Sequence, residues 1–468
     1  MPLDSSSAPY VKQGTTLLAA QPVWPRKQRQ EEAKDWNTVY LHLERRLAAL
    51  RAWRWTWLSS WMELAAFFLP RRAKWWISPN LYNRGRFLND QIIDSTGVQA
   101  MNTCASGMWS GLTNPARPWY GFAPAIDGVE LDEEARAWLE NLKNRSMAVL
   151  AGSNFYSTTA QMFQDVTVFG TSPIIVYEDE QNVIRCYLPC AGEYFLQAGS
   201  RFSVDTLYRE YTMTVAQIVE QFELENCPEA VQGMWAEGNY DQEFVVAHAI
   251  EPNFAIRGPG RKEVQVVSDR FDYREVYWLK GKRGQKAMSL RGFNERPFMV
   301  ARWWIVSNDP YGRSPCMDAL GDNKQIQQQT IRKAEFLEKG IRPPMLADPE
   351  LKNEPASIMP GMVTFVNTAN GKVGFKPAFE VNATWLQHLT VDIKDVEQRI
   401  KEALHIPQFM AITQMQGVQP RNELEPTKRD LERLQVLGPV IDLFENEVAS
   451  PALQRVVGAR CYLREDYT

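Results

Sequence analysis

The chain has 468 residues, 44% of them apolar and 23% charged, with 52 Lys+Arg against 56 Asp+Glu. That composition excludes a largely disordered chain, and the net charge of −4 disfavours a general electrostatic clamp on nucleic acid. At about 150 residues per domain the length suggests about three modules, and the 16 Trp, concentrated before residue 140, call for much packed surface, either core or interface.

Residues 1–34 read as an arm, because Pro2, Pro9, Pro22 and Pro25 interrupt any helix. No basic start leads into an apolar run, so no signal peptide is expected. No apolar run approaches the roughly 18 residues of a membrane span. A long helix is predicted from an Asp35 cap to Pro70. Its apolar positions are Trp36, Tyr40, Leu43, Leu47, Leu50, Trp57, Trp61, Leu64 and Phe68, spaced alternately by four and three with one omission at Arg54. Helices follow at 92–111, rich in small residues, and at 132–150. From Val166 to Arg209 the pattern changes to strands, including 173–177 and 183–188. Thr214 caps a short helix to Phe222, and strands are expected at 244–250, 264–267, 274–279 and 298–306. Residues 70–310 are thus mixed α+β.

The last third is different. A helix at 314–339 has Pro315 in its first turn and Gly340 just beyond its end. Its middle, 323–330, is polar nearly all round, which suits a helix that bridges other parts or packs in an assembly. Residues 341–383 are Pro-rich with short strands such as 362–366. A second helix at 384–404 carries Leu386, Leu389, Ile393, Val396, Ile400 and Leu404 on one stripe and mostly charged residues opposite. Residues 407–426 read as a loop, and a third helix at 427–448 is expected to kink at Gly438-Pro439.

Motifs for chemistry are missing. The six Cys are scattered, with no zinc set, and read as buried free thiols in a reduced cytosolic setting. No phosphate-cradling glycine loop occurs; Gly281-Lys-Arg-Gly-Gln-Lys286 reads as a hairpin turn. No nucleophile elbow is present. His42 and His388 lie on polar helix faces, where a solvated imidazole is the plain reading. Acidic runs at 127–134, 178–180 and 220–229 read as solvated turns; a two-metal nuclease site is the sharper alternative. Residues 36–86 carry a net +7, leaving −11 for the rest. Basic residues among Trp can stack on bases or sit at a membrane interface; the plainer reading is a helix whose Arg residues meet an acidic neighbouring subunit.

Several short motifs share an order. Ile92-Ile-Asp-Ser-Thr-Gly97, Ala105-Ser-Gly107 and Gly111-Leu-Thr-Asn-Pro-Ala-Arg-Pro-Trp119 come first. Ser153-Asn-Phe-Tyr156, Phe169-Gly-Thr171, Tyr211-Thr-Met-Thr214, Arg302-Trp303, Tyr311-Gly-Arg-Ser-Pro315 and Pro343-Pro344 follow. Together, over about residues 40–450, the chain resembles the portal proteins, the head-to-tail connecting proteins of short-tailed bacteriophages. The resemblance implies a ring, usually of twelve copies, at a capsid vertex, with no catalytic centre, metal or cofactor. Double-stranded DNA would pass through its channel, and partners would be the terminase motor, a tail adaptor, and the major capsid and scaffolding proteins. The implied fold class is α+β. Its parts are a wing (35–310), stem helices (311–340 and 384–405) around a small β-containing clip (341–383), a channel loop (406–426), a kinked channel helix (427–449) and a short crown segment (450–468). Gln414, Gln416, Gln419 and Arg421 would touch the DNA lightly. Gln325, Gln328, Arg332, Lys394, Arg399 and Lys401 would be the polar positions of the stem. A nuclease and a peripheral membrane or ejection protein remain as alternatives.

Overall fold

The computed structural model describes residues 36–72, 74–75, 89–116, 118–123, 132–179, 181–257, 263–281, 286–347, 362–363, 375–378, 383–407 and 438–465. The first helix, α1 (Trp36–Phe68), buries the predicted stripe, with Leu58 rather than Trp57 taking the inner position. Arg54, the break in the pattern, is inside the stripe. Its guanidinium donates to the carbonyls of Gly192 and Tyr194 and lies 4.1 Å from the ring centre of Phe195. A buried cation is tolerated here because backbone oxygens replace its water.

Strands β3 (Tyr194–Ala198), β4 (Val204–Thr214), β5 (Glu243–Pro252), β8 (Tyr273–Leu279) and β9 (Ser289–Phe293) form an antiparallel sheet in the order β3-β4-β5-β8-β9. The N-terminal half of α1 covers one face, where Leu43, Leu47 and Leu50 join Tyr208, Ala249 and Trp278. The other face is closed by α5 (Val215–Phe222) and α6 (Glu229–Ala236). Thr214 caps α5 as expected, and Gln217 completes a reciprocal capping box. Adjacent side chains of one strand point to opposite faces, so Val246 joins one core and Ala247 the other.

A second sheet has the order β10-β1-β2, from β1 (Thr171–Asp179), β2 (Val183–Tyr187) and β10 (Phe298–Arg302). It shares one core with the C-terminal half of α1, with α2 (Thr96–Leu112) and with the C-terminal helix. Helix α3 (Glu133–Gly152), capped by Asp132, packs beside it. Helix α4 (Phe155–Phe169) stands in the same core, and its last turn occupies Val166–Phe169, where the sequence suggested strand. Its Thr, Val and Phe favour strands, but Phe155, Met162, Phe163, Val166 and Phe169 are buried among neighbouring helices, and tertiary burial overrides propensity.

Other expectations shift at their ends. The strand predicted at 264–267 is paired only at β7 (Glu263–Val264), against β6 (Ile256–Arg257). The one predicted to reach 306 stops at Arg302, where the chain turns. Strands β8 and β9 pair as antiparallel neighbours, in keeping with a hairpin after Gly281.

Helix α7 (Pro315–Ile341) begins at a Ser314 cap and runs through Gly340. Strands β11 (Met345–Ala347) and β12 (Phe375–Pro377) pair antiparallel, and helix α8 (Ala383–Ala403) follows. Of the strand expected at 362–366 only Met362 and Val363 are described, in no strand. The expected loop and most of the third helix, through 437, lie outside the described residues. From 438 the chain is helical, passes through a π turn at Glu445–Ala449 and continues as α9 (Ser450–Glu465). The boundary expected at 449 is therefore corrected. The segment read as a crown packs onto the β10-β1-β2 sheet, with Ala452 and Val456 buried and Arg455 donating to Glu178 at 2.7 Å.

Candidate functional site

Four of the ordered motifs, at 92–97, 169–171, 302–303 and 311–315, anchor α7 and the end of α8. Gly170, at φ 75, ends α4 in the left-handed region that favours glycine. That lets the backbone at Gly312 approach so closely that a side chain on Gly170 would run into the Gly312 carbonyl. Gly312 N donates to Thr171 Oγ1 at 2.7 Å, and Ser314 Oγ donates to the Val168 carbonyl at 2.7 Å. Tyr311 is buried edge-on against Trp61, its ring centre 5.3 Å away, and its hydroxyl accepts from Leu196 N. Helix α7 thus leaves the body of the protein from a rigid socket.

About three turns higher, the polar middle of α7 is not wholly a wet face. Gln327 is buried, accepts from Ile93 N and Asp94 N at 2.7 Å each, and donates to the Asp94 carbonyl at 2.9 Å. Asn323 accepts from Gln327 at 3.2 Å, and a side chain at Gly97 would collide with it. In this polar segment Gln325 and Gln328 are exposed, whereas Asn323 and Gln327 are buried. An amide can satisfy both donor and acceptor groups of a buried turn, which hydropathy does not register.

Helix α8 buries Ile393, Val396, Ile400 and Leu404 in the core shared with Ala319 and Ile326 of α7 and Met101 of α2. The seam beside this contact is polar. Arg399 Nη2 is 3.2 Å from Asp322 Oδ1 and donates to Gln325 Oε1 at 3.1 Å, and Gln329 donates to Asp392. Arg332 pairs with Glu335 and Lys401 with Glu397, while Lys394 is exposed. The six stem positions named from sequence therefore line the solvent side of one helix pair, and two of them, Gln325 and Arg399, are partners. Gln414, Gln416, Gln419 and Arg421 lie outside the described residues.

The flanks of the segment containing them are held by adjacent residues. His405, at φ 56, stacks on Trp303 with ring centres 6.4 Å apart, and Arg302 binds Glu447 through Nε at 3.0 and 2.9 Å. No short sequence motif announces Glu447 or the π turn that carries it.

The basic patch is corrected. Arg46, Arg51, Arg72 and Lys74 pair with the buried Glu251, Glu210, Asp165 and Glu193 of their own chain, and Arg54 is capped by carbonyls. Burial alone would raise Glu251, but His42, Arg274 and Arg46 outweigh it and hold the carboxyl at about 2. His42 is not a free surface imidazole: its ring lies 3.7 Å from Glu251 and packs edge-on against Phe254. His388 is exposed, as expected. Five of the nine basic residues thus have partners within the chain, whereas Arg45 and Arg71 are exposed and Arg84 and Arg86 lie outside the described residues.

Among the described residues, no three His, Cys, Asp or Glu stand together as a metal set, and no helix is long and apolar enough to cross a membrane. Glu220 in α5, Glu223 and Glu225 after it and Glu229 at the start of α6 are all exposed, Glu178 pairs with Arg455, and residues 127–131 lie outside the described residues. Cys104, Cys186, Cys227 and Cys316 are buried free thiols and Cys190 is half-buried. Burial pushes the Cys104 and Cys186 thiols up to about 12, away from nucleophilic use.

A body of two antiparallel sheets that roots a projecting helix pair defines a structural subunit built to present long helices. The chain matches the family model for the bacteriophage head to tail connecting protein over residues 41–459, and it belongs to that family. It is 35% identical over 412 residues to the probable portal protein of Bordetella phage BPP-1, covering 87% of this chain and 72% of the relative. It is 36% identical over 419 residues to the portal protein of Salmonella phage epsilon15, covering 88% and 73%.

Proposed function

We propose that this chain is a phage portal protein. Copies associate into a ring, with twelve the expected number, at one vertex of the capsid. Double-stranded DNA is packaged and later ejected through its channel. The observation that carries this reading is the family match across residues 41–459, supported by two relatives named as portal proteins.

In this reading the two sheets and α1 to α6 form the wing, α7 and α8 the stem, and 341–383 the clip. The clip would dock the terminase motor during packaging and a tail adaptor afterwards, while the wing meets capsid and scaffolding proteins. Segment 406–426 would face the DNA, with Gln414, Gln416, Gln419 and Arg421 making light contacts. A channel dense in Lys and Arg would hold phosphates through counterion release and impede sliding; amides let the duplex pass. The chain would be made in the host cytoplasm and end in the virion. No catalytic step is assigned to it.

Negative-stain imaging and mass photometry of the purified full chain test this. Rings with a central hole are expected; a protein that stays monomeric at high concentration would sink the reading.

A further inference from the structure

Two turns hang from the guanidinium of Arg302. Its Nη2 donates to the Phe202 carbonyl and its Nη1 to the Asp309 carbonyl, each at 3.1 Å. On the first turn Phe202 adopts φ 60 and is 63% exposed. On the second, Trp304 is 53% and Val306 45% exposed, and Ser307 also has a positive φ. A bulky aromatic held in the left-handed region costs conformational energy, and such strain persists only where surrounding structure enforces it, commonly at binding sites. Here the buried Arg302–Glu447 pair supplies the enforcement. Arg201, beside Phe202, is exposed.

The helix that provides Glu447 also walls a groove of about 990 Å³. Ile441, Phe444 and Leu453 form one side, and Trp119, Phe122 and Leu142 another. At the groove's margin Glu295 Oε2 is buried, with no hydrogen-bond partner among the described residues. Desolvation raises the pKa of this carboxyl against the opposing pull of Arg455, so a further cation brought to it would be stabilising. The size lies at the top of the range for small-ligand sites, roomy enough for a cluster of side chains.

A ring of identical copies needs two different surfaces on each chain that fit one another. One surface here is convex and aromatic with an Arg at its edge; the other is concave and apolar with an unsatisfied carboxylate. We propose that Phe202, Trp304 and Val306 of one copy seat in the groove of the next, with Arg201 meeting Glu295. This rests on the ring reading above and names a contact within it.

The test uses the full chain carrying Phe202→Cys and Leu453→Cys, oxidised after assembly. A non-reducing gel should show a ladder of covalent multimers that needs both cysteines. Phe202→Gly is the second variant. Glycine suits φ 60, so the subunit should fold at least as stably as the parent. Its rings should nevertheless dissociate at about tenfold higher protein concentration, the scale of one hot-spot side chain. If the parent forms rings, the double-cysteine variant gives no ladder and Phe202→Gly rings are as stable on dilution, this contact is overturned while the ring stands. If the parent never forms rings, both fall.

Discussion

Arg302 and Glu447, 145 residues apart, form a buried two-oxygen ion pair that fastens the end of β10 to the π turn of the C-terminal helix. The same guanidinium serves the carbonyls of Phe202 and Asp309. Glu447→Ala strands a buried cation and should destabilise the subunit by about 3–5 kcal/mol. Arg302→Met with Glu447→Leu should lose much less than the two single losses added. Urea titrations of the parent, Arg302→Met, Glu447→Leu and the double variant measure this coupling; additive losses would contradict it.

Gly170 admits the Gly312 carbonyl at the root of α7. Gly170→Ala should cost about 3 kcal/mol, from the left-handed conformation and the overpacking together. Gly111→Ala, where an added Cβ meets nothing, is the control and should be near neutral. Thermal melts of both variants decide the matter.

Acid should destabilise the five-stranded sheet in two stages. Burial and the nearby Arg209 hold His248 at about 4 instead of 6.5, with Glu275 and Tyr277 also facing its ring and Arg291 near enough to act on it. Arg209 Nε donates to its Nδ1 at 2.8 Å, so the imidazole is neutral. The unfolded chain takes up that proton first, so stability falls as pH drops from 6.5 to about 4. Glu251 is depressed to about 2 from 4.5, so its contribution, complete above 4.5, is lost between 4.5 and about 2. Each loss is on the order of 3 kcal/mol. His248→Gln should flatten the upper stage only, as followed by urea midpoints across pH.

Val396 is fully buried within α8. Val396→Pro removes a helix hydrogen bond and clashes with the preceding turn, at about 3 kcal/mol or more. The helix pair should come apart and ring assembly should be lost by mass photometry. Intact rings would contradict the role given to α8.

Shortening 408–426 should leave the rings intact, because both flanks stay fastened at Trp303 and Arg302. DNA packaged per particle should drop. Normal packaging would show that this segment does not meet the duplex.

Periodicity by itself determined α1 and α8, while Pro315 and Gly340 marked the ends of α7. An apolar stripe at three- and four-residue spacing specifies a helix and its inward face whatever packs on it. Thr214 and Ser314 likewise marked helix starts, since a cap acts over three residues. The run of ordered motifs was enough to indicate the family. Only the tertiary structure decided which polar residues leave the surface. Asn323, Gln327 and Arg54 read as surface and are buried; Arg46 and Arg51 of α1 read as part of an outward patch and turn inward to Glu251 and Glu210. Helix α4, strand-like by propensity, owes its form to neighbours on several sides. The physical reason is the same in each case. A polar group can be buried only beside its complement, and that complement can lie 234 residues away, as with Gln327 and Ile93. Local spacing carries no record of which distant group will meet it.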